Sequence, residues 1–436
     1  MSTFRARLFT SLALCGVLVA AIFFVASTSR TSARSWDGGG AYLAPGSLGS
    51  PRFGVDPQWP HELPNNWIIG QVGGLSVDKW NNIWVYQRPE SDTADELWAA
   101  QSPQVAGCCI AAPPVLEFNA SGDLVNAWGP IEGITNSAPG TTVPGRNPND
   151  PEPTNYQYVK VEHGIFADNS GFVWITGNGT GDTQILKFTR QGQFVMQIGH
   201  ANATCSDLDQ LDICKGAQFY VDTPANELYV ADGYGNHRVV VFNATTGKFK
   251  RAWGAFGVTA TAGATTTGYG VIPPLQATYP ATTYTPGNAS SYFNNPVHCI
   301  TKDPVTGFIW VCDRVNDRLQ VFKPTGAYVG QCYFAQSTLN PGSVWDLKFW
   351  PKGTDRVILM TDGTNQVVRE ILPKPDPSSG KTTSSKYCPL VGQFGHGGRN
   401  AGFFHWVHVA DIDSNGNYYE GEVDTGKRVQ KFVPMR

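Results

Sequence analysis

Charge is scarce in this chain. Asp, Glu, Lys and Arg make up 15% of its 436 residues, and 32 basic against 35 acidic side chains leave a formal charge of −3. With no basic field to attract nucleic acid or an anionic lipid surface, both are excluded as partners. The nine cysteines include no C-x-x-C pair, so a thiolate metal site is excluded too. Turn formers and aromatics are plentiful instead: 48 glycines, 30 prolines and 12% aromatic residues describe a turn-rich all-β chain with a large buried surface.

The first residues stand apart. Arg5 and Arg7 precede a run from Leu8 to Ala26 without a charge, which reads as an export signal or a signal anchor. Residues 1–35 are assigned to that segment and 36–52, rich in Gly, Ser and Pro, to a linker. A globular part spanning 53–436 is then expected outside the cytoplasm: secreted, periplasmic or membrane-anchored. Any membrane contact is expected only through the N-terminal segment. Export permits disulfides among the eight cysteines after Cys15. Cys205 and Cys214, which flank a short acidic loop, are the expected pair. Cys108 and Cys109 either bridge each other or pair elsewhere, and Cys299, Cys312, Cys332 and Cys388 are left open.

Within 53–436 one unit recurs. VWITG (173–177), LYVAD (228–232), IWVCD (309–313) and IWVYQ (83–87) align as second strands, each followed by a third strand with phenylalanine in a fixed place: Phe118, Phe188, Phe242, Phe322 and Phe432. Six copies, starting near residues 71, 158, 215, 294, 342 and 402, predict a six-bladed β-propeller. The last copy ends after three strands. A segment within Phe53–Trp67 is therefore expected to supply its fourth and close the ring. Pro/Gly/Ser/Thr-rich stretches at 130–157, 259–291 and 372–387 read as surface insertions.

Copies two, four and six open with the same pattern, His-x4-Asp: His163 (HGIFAD), His298 (HCITKD) and His408 (HVADID). Alternate blades stand about 120° apart, so three imidazoles in one register converge on the axis. The other copies place Gly73, Ala217 and Val344 there, none of which ligates through its side chain. Three histidines with a fourth position open is the donor set of a catalytic zinc site. Arg88, Tyr234 and Arg314 lie after second strands and are expected to overhang it. Zinc there would act as a Lewis acid, an arginine would hold a carboxylate or oxyanion, and the tyrosine would move a proton.

Structural readings compete with these. A lone inner-strand histidine is more often a core residue. Asp168, Asp303 and Asp413 read as turn formers, because Asp78 and Asp222 recur at that place without histidine. Arg314 with Asp313 reads equally as an inter-blade ion pair, and Tyr234 as a packed aromatic.

The blades resemble NHL repeats, and the order of motifs resembles the peptidyl-α-hydroxyglycine α-amidating lyase family. The resemblance runs through WPHELPNNWIIGQVGGLSVD (59–78), NNIWVYQR (81–88), HGIFADNSGFVWIT (163–176), LYVADGYGNHRVVVF (228–242), VHCITKDPVTGFIWVCDRVNDRLQVF (297–322) and HWVHVADIDSNGNYY (405–419). It implies zinc on His163, His298 and His408, a catalytic tyrosine at Tyr234 and active-site arginines at Arg88 and Arg314. Three positions depart from the family. Val409 replaces an aspartate that contributes to a structural calcium site, which removes that ligand. Gly235 replaces a cysteine, freeing Cys214 for Cys205. Trp406 replaces a methionine.

The function implied is a metal-dependent carbon–nitrogen lyase. It would convert a peptidyl-α-hydroxyglycine-like carbinolamide into an amide and glyoxylate, acting as a monomer on a small-molecule or peptide substrate. The alternative is an exported, non-catalytic NHL propeller that binds a protein or glycan. A lactonase-like hydrolase is disfavoured, since the inner strands carry no carboxylate and asparagine cluster for calcium.

Overall fold

The computed structural model describes residues 51–130, 156–259, 292–338, 340–351, 356–377 and 387–435. The N-terminal apolar segment lies outside these residues, as do nearly all of the 130–157 and 259–291 insertions and part of the third.

Six four-stranded antiparallel sheets follow one another along the chain. Blade one is built from Gln71–Val77, Ile83–Arg88, Val115–Phe118 and Leu124–Trp128; blade two from Glu162–Ala167, Phe172–Gly177, Gln184–Thr189 and Phe194–Gly199. Blade three comprises Phe219–Asp222, Glu227–Asp232, Arg238–Asn243 and Phe249–Trp253; blade four Val297–Lys302, Ile309–Asp313, Arg318–Phe322 and Tyr328–Tyr333. Blade five comprises Asp346–Trp350, Val357–Asp362, Val367–Ile371 and Leu390–Phe394. Blade six takes Val407–Ile412, Tyr418–Glu422 and Val429–Met435 from the C-terminal region and Arg52–Asp56 as its outer strand, with Arg52 opposite Met435 and Asp56 opposite Lys431. The expected ring closure is present, one residue earlier than the 53 boundary.

Each first strand contacts the first strands of both neighbouring blades, so the ring closes around a central axis. The protein is a six-bladed β-propeller, and among the described residues its helices are four short 3-10 turns. Six apolar clusters, one between each pair of adjacent blades, form the core. In blade one, Trp84 and Tyr86 face blade two, whereas Val85 faces blade six. A strand covered on both faces must be apolar at every position, so the second strands read as unbroken hydrophobic runs.

The recurrent phenylalanines close the hairpin to the outer strand. The pairing slips just before Phe118, Phe188, Phe242 and Phe322, and Ile371 takes that place in blade five. The aspartates of the repeat are turn formers, as expected: Asp168 Oδ1 accepts from the Ser170 and Phe172 amides, and Asp413 Oδ1 from those of Asn415 and Asn417. Disulfides join Cys205 to Cys214, Cys108 to Cys109, Cys299 to Cys312 and Cys332 to Cys388. Four such bonds fit an oxidising compartment. Among the described residues no helix is long and apolar enough to cross a membrane.

Candidate metal centre

The inner strands that carry histidine share a local irregularity. In blade two the pairing slips between Glu162 and Gly164, leaving His163 as the extra residue. The same slip isolates His408 between Val407 and Val409, and in blade four it spans His298 and Cys299. A bulge releases one side chain from the up-down alternation of the strand and re-aims it. All three imidazoles turn to one point and meet edge to face, with ring centroids 4.9 to 5.2 Å apart.

Their hydrogen bonds fix which nitrogen faces that point. Nδ1 of His163 donates to the Ala217 carbonyl (2.9 Å), that of His298 to Trp345 (2.6 Å) and that of His408 to Val72 (3.1 Å), each acceptor belonging to the next blade. A carbonyl only accepts, so Nδ1 carries the proton and Nε2 presents a lone pair. The Nε2 atoms of His298 and His408 are 3.2 Å apart with no proton to share. A cation held in common relieves that repulsion. Nitrogens bound at about 2.0–2.1 Å around a tetrahedral ion stand about 3.3 Å from each other. The three ligand atoms lie within 4.8 Å of one another, so the group could hold a metal ion. Burial chiefly keeps all three imidazoles below the usual histidine range, His408 down to about 3, helped by the neighbouring rings and by Arg88 and Arg314. They are neutral, which is the ligating form.

Blade three brings Tyr234 over this point. Its Oη lies 3.0 Å from His163 Nε2 and 3.1 Å from His298 Nε2, and it accepts from Arg314 Nη1 at 3.2 Å. The turn carrying it is tightly seated. Asn295 Nδ2 donates to the Tyr234 carbonyl at 2.7 Å, and any Cβ at Gly233 would overlap the Val297 backbone. Arg88 lines the wall without a hydrogen bond to Tyr234 or the histidines. Its Nε donates to the Glu162 carbonyl (2.7 Å) and its Nη1 to Gln71 Oε1 (2.9 Å). Burial lowers its pKa against the opposing charges of Tyr234, Glu162 and Tyr86. Gly73 permits this packing, because a side chain there would strike the Glu162 carbonyl.

Two expectations need correction. Arg314 does not pair with Asp313. The hairpin register sets Asp313 opposite Arg318, which it binds at 2.6 Å, while Arg314 Nε donates to the Pro341 carbonyl at 3.0 Å. The inner position of blade five is Trp345 rather than Val344: its carbonyl receives His298 just as that of Ala217 receives His163. Its indole packs on His298 and His408 with centroids 5.8 and 5.7 Å away, and Arg314 lies 4.3 Å over it. Its signal in the sequence was the adjoining Asp346, which opens the strand. His405 bonds Thr425 Oγ1 at 3.0 Å, which leaves His408 as the blade-six member of the trio. Where the resemblance implies calcium, Val409 is buried. Deeper in the channel Lys348 already offsets the charge of Asp346 and Asp411. Among the described residues the histidine trio alone forms a group of three metal-ligating side chains.

The turn presenting Arg314 is anchored by Asp317. Its Oδ1 accepts from the Ser343 amide at 2.8 Å, while its buried Oδ2 has no partner. Burial pushes this carboxyl up to about 8. The unfolded chain loses the proton near the ordinary pKa of about 4, so stability falls as pH rises between the two values. Asp317→Asn is expected to remove that slope and to gain roughly 1–3 kcal/mol at pH 8 relative to pH 5. Urea melts at both pH values check it, and parallel slopes for wild type and variant would contradict it.

Comparison with known proteins agrees with the architecture. An NHL repeat model matches residues 219–242, which lie in blade three. The chain is 25% identical over 402 residues to NHL repeat-containing protein 3 of Mus musculus, covering 88% of this chain and 85% of that one. It is 27% identical over 286 residues to the Homo sapiens protein of the same name, covering 64% and 68%. It is also 25% identical over 278 residues to peptidyl-glycine alpha-amidating monooxygenase A of Xenopus laevis, covering 63% of this chain but 24% of that much longer protein.

Proposed function

We propose that this protein is a zinc-dependent lyase acting on peptidyl-α-hydroxyglycine-like carbinolamides. The observation that carries the reading is the set of Nε2 lone pairs facing one another, 3.2 Å apart for His298 and His408, with a phenol Oη 3.0 and 3.1 Å from two of them. The similarity to the Xenopus laevis protein supports it.

Zinc held by His163, His298 and His408 would supply Lewis-acid polarisation of the substrate hydroxyl. Tyr234 Oη takes the hydroxyl proton, and Arg314 Nη1, already bonded to that oxygen, stabilises the phenolate. The O–H electrons form the new C=O, the C–N bond breaks toward nitrogen, and nitrogen gains a proton. R–CO–NH–CH(OH)–COO⁻ becomes R–CO–NH₂ and OHC–COO⁻. Arg88 binds the carboxylate through Nη2, which makes no hydrogen bond among the described residues. The substrate is a small molecule or peptide, the enzyme acts as an exported monomer, and the four disulfides support export.

Purified protein is expected to contain one zinc per chain and to release glyoxylate and benzamide in equal amounts from α-hydroxyhippurate. Chelation is expected to abolish turnover and added zinc to restore it. Absence of both metal and product would favour the second reading, a propeller that binds a protein or glycan without chemistry. That reading rests on the longest of the three alignments being to a relative named for its repeats alone. It requires unchanged ligand affinity in His298→Ala.

A further inference from the structure

The rim of the candidate site is not uniform around the ring. Blades one, three and four contribute Arg88, Tyr234 and Arg314. Blade five has Gly363 just after its second strand, where blade four has Arg314. A Cβ at Gly363 would come within 2.5 Å of the Val407 carbonyl oxygen and 2.8 Å of the Trp345 ring. Glycine there leaves room for both the blade-six backbone and the Trp345 indole, which fills this sector.

Trp345 is held rigidly. Its Nε1 donates to the Gly342 carbonyl at 2.8 Å and lies 3.2 Å from Thr364 Oγ1, and the residue is 5% exposed. Trp406, two residues before His408, continues the wall, with its ring centroid 5.6 Å from that of Trp345 at 55°. It is half-buried, and its backbone adopts φ 57°, a region bulky residues rarely occupy. Two backbone bonds hold it there: its N–H donates to Gln366 Oε1 at 2.7 Å, and its carbonyl accepts from the Val423 amide at 3.1 Å. An unfavourable backbone fixed from both sides presents a partly exposed indole against Trp345, which itself packs on His298 and His408, and points to a ligand contact.

We infer that Trp345 and Trp406 are specificity-determining residues that receive the acyl side of the substrate and select an aromatic or bulky apolar group next to the scissile C–N bond. The identity of that bond rests on the lyase reading; the aromatic wall does not. The carboxylate end is taken by Arg88 in blade one, and Tyr234 and Arg314 occupy the rims of blades three and four, which leaves the sector of blades five and six for the acyl end. A flat apolar acyl group stacks there, and a methyl leaves the indole of Trp406 uncovered.

The test compares N-benzoyl- and N-acetyl-α-hydroxyglycine as substrates of the zinc-loaded wild type, Trp406→Ala and Trp406→Phe, with zinc content and melting temperature measured for each. Wild type is expected to prefer the benzoyl compound about 10- to 100-fold in kcat/KM. Trp406→Ala is expected to lose most of that preference, and Trp406→Phe to recover it. Binding is read separately by tryptophan fluorescence, with hippurate and N-acetylglycine as probes. Glyoxylate release at equal rates from both substrates overturns the inference and leaves the lyase reading intact. No glyoxylate from either, with hippurate still bound more tightly than N-acetylglycine and Trp406→Ala removing the difference, ends the lyase reading and upholds the aromatic site. Equal binding of the two probes by wild type and Trp406→Ala overturns the site itself.

Discussion

Tyr234→Phe is expected to keep a full complement of zinc and to release glyoxylate about 10²- to 10⁴-fold more slowly than wild type, the usual contribution of a positioned proton-transfer group. The ring that remains still packs edge-on against His163, with centroids 4.9 Å apart, so the pocket keeps its shape. What disappears is one oxygen, lying 3.0 Å from His163 Nε2, 3.1 Å from His298 Nε2 and 3.2 Å from Arg314 Nη1. On the proposed mechanism the loss should fall on kcat, because Arg88 would still bind the carboxylate and the Nε2 lone pairs are untouched. Steady-state kinetics with metal analysis on the same preparation make the measurement. Wild-type turnover in the variant would remove Tyr234 from the mechanism, and loss of zinc would reassign it to holding the metal.

Arg318→Met is expected to destabilise the propeller by about 3–5 kcal/mol, the cost of leaving a buried carboxylate without its counter-ion. Asp313 and Arg318 are both fully buried, and their bond is 2.6 Å long. Burial pushes the Asp313 carboxyl up, and Arg318, Asn316 and the Asn294 amide pull it back. A related pair ends the second strand in three other blades: Asp232 with Arg238 and Glu422 with Arg428 across the hairpin, and Asp362 with Arg369, which lies two residues past the residue opposite Asp362. Denaturant melts measure the loss. The double change Asp313→Asn with Arg318→Met should recover part of it, because no charge is then stranded. Equal stability of wild type and the single variant would show that the pair contributes nothing.

Much of this molecule could be read from its repeats. The His-x4-Asp pattern shared by alternate copies gave the histidine trio, because one register in one ring leads to one axis. The shortfall of a strand in the last copy pointed to a segment within Phe53–Trp67, and the strand found there starts one residue earlier, at Arg52; the short acidic loop pointed to the Cys205–Cys214 bond. What escaped depended on register between strands. In blade five the pairing runs unbroken from Asp346 to Trp350, whereas blades one, two, four and six carry a slip at the inner end. Counting residues from the strand therefore misses by one and selects Val344 over Trp345. Asp313 was matched to its chain neighbour Arg314 for a related reason: only the hairpin register reveals that Arg318 sits across from it. Periodicity along the chain reports faces; bulges and cross-strand partners are decided by packing between strands.

The seam in blade six, where residues 52–56 lie against 431–435, has a consequence for biogenesis. The earliest part of the toroid to be synthesised waits for the latest before its edge is covered. Every intermediate on the way exposes an unpaired strand, and the histidines of blades two and four reach their common point only after blade six has arrived. A nascent chain of this kind stays unclosed, and so threadable, until residues 431–435 have been made.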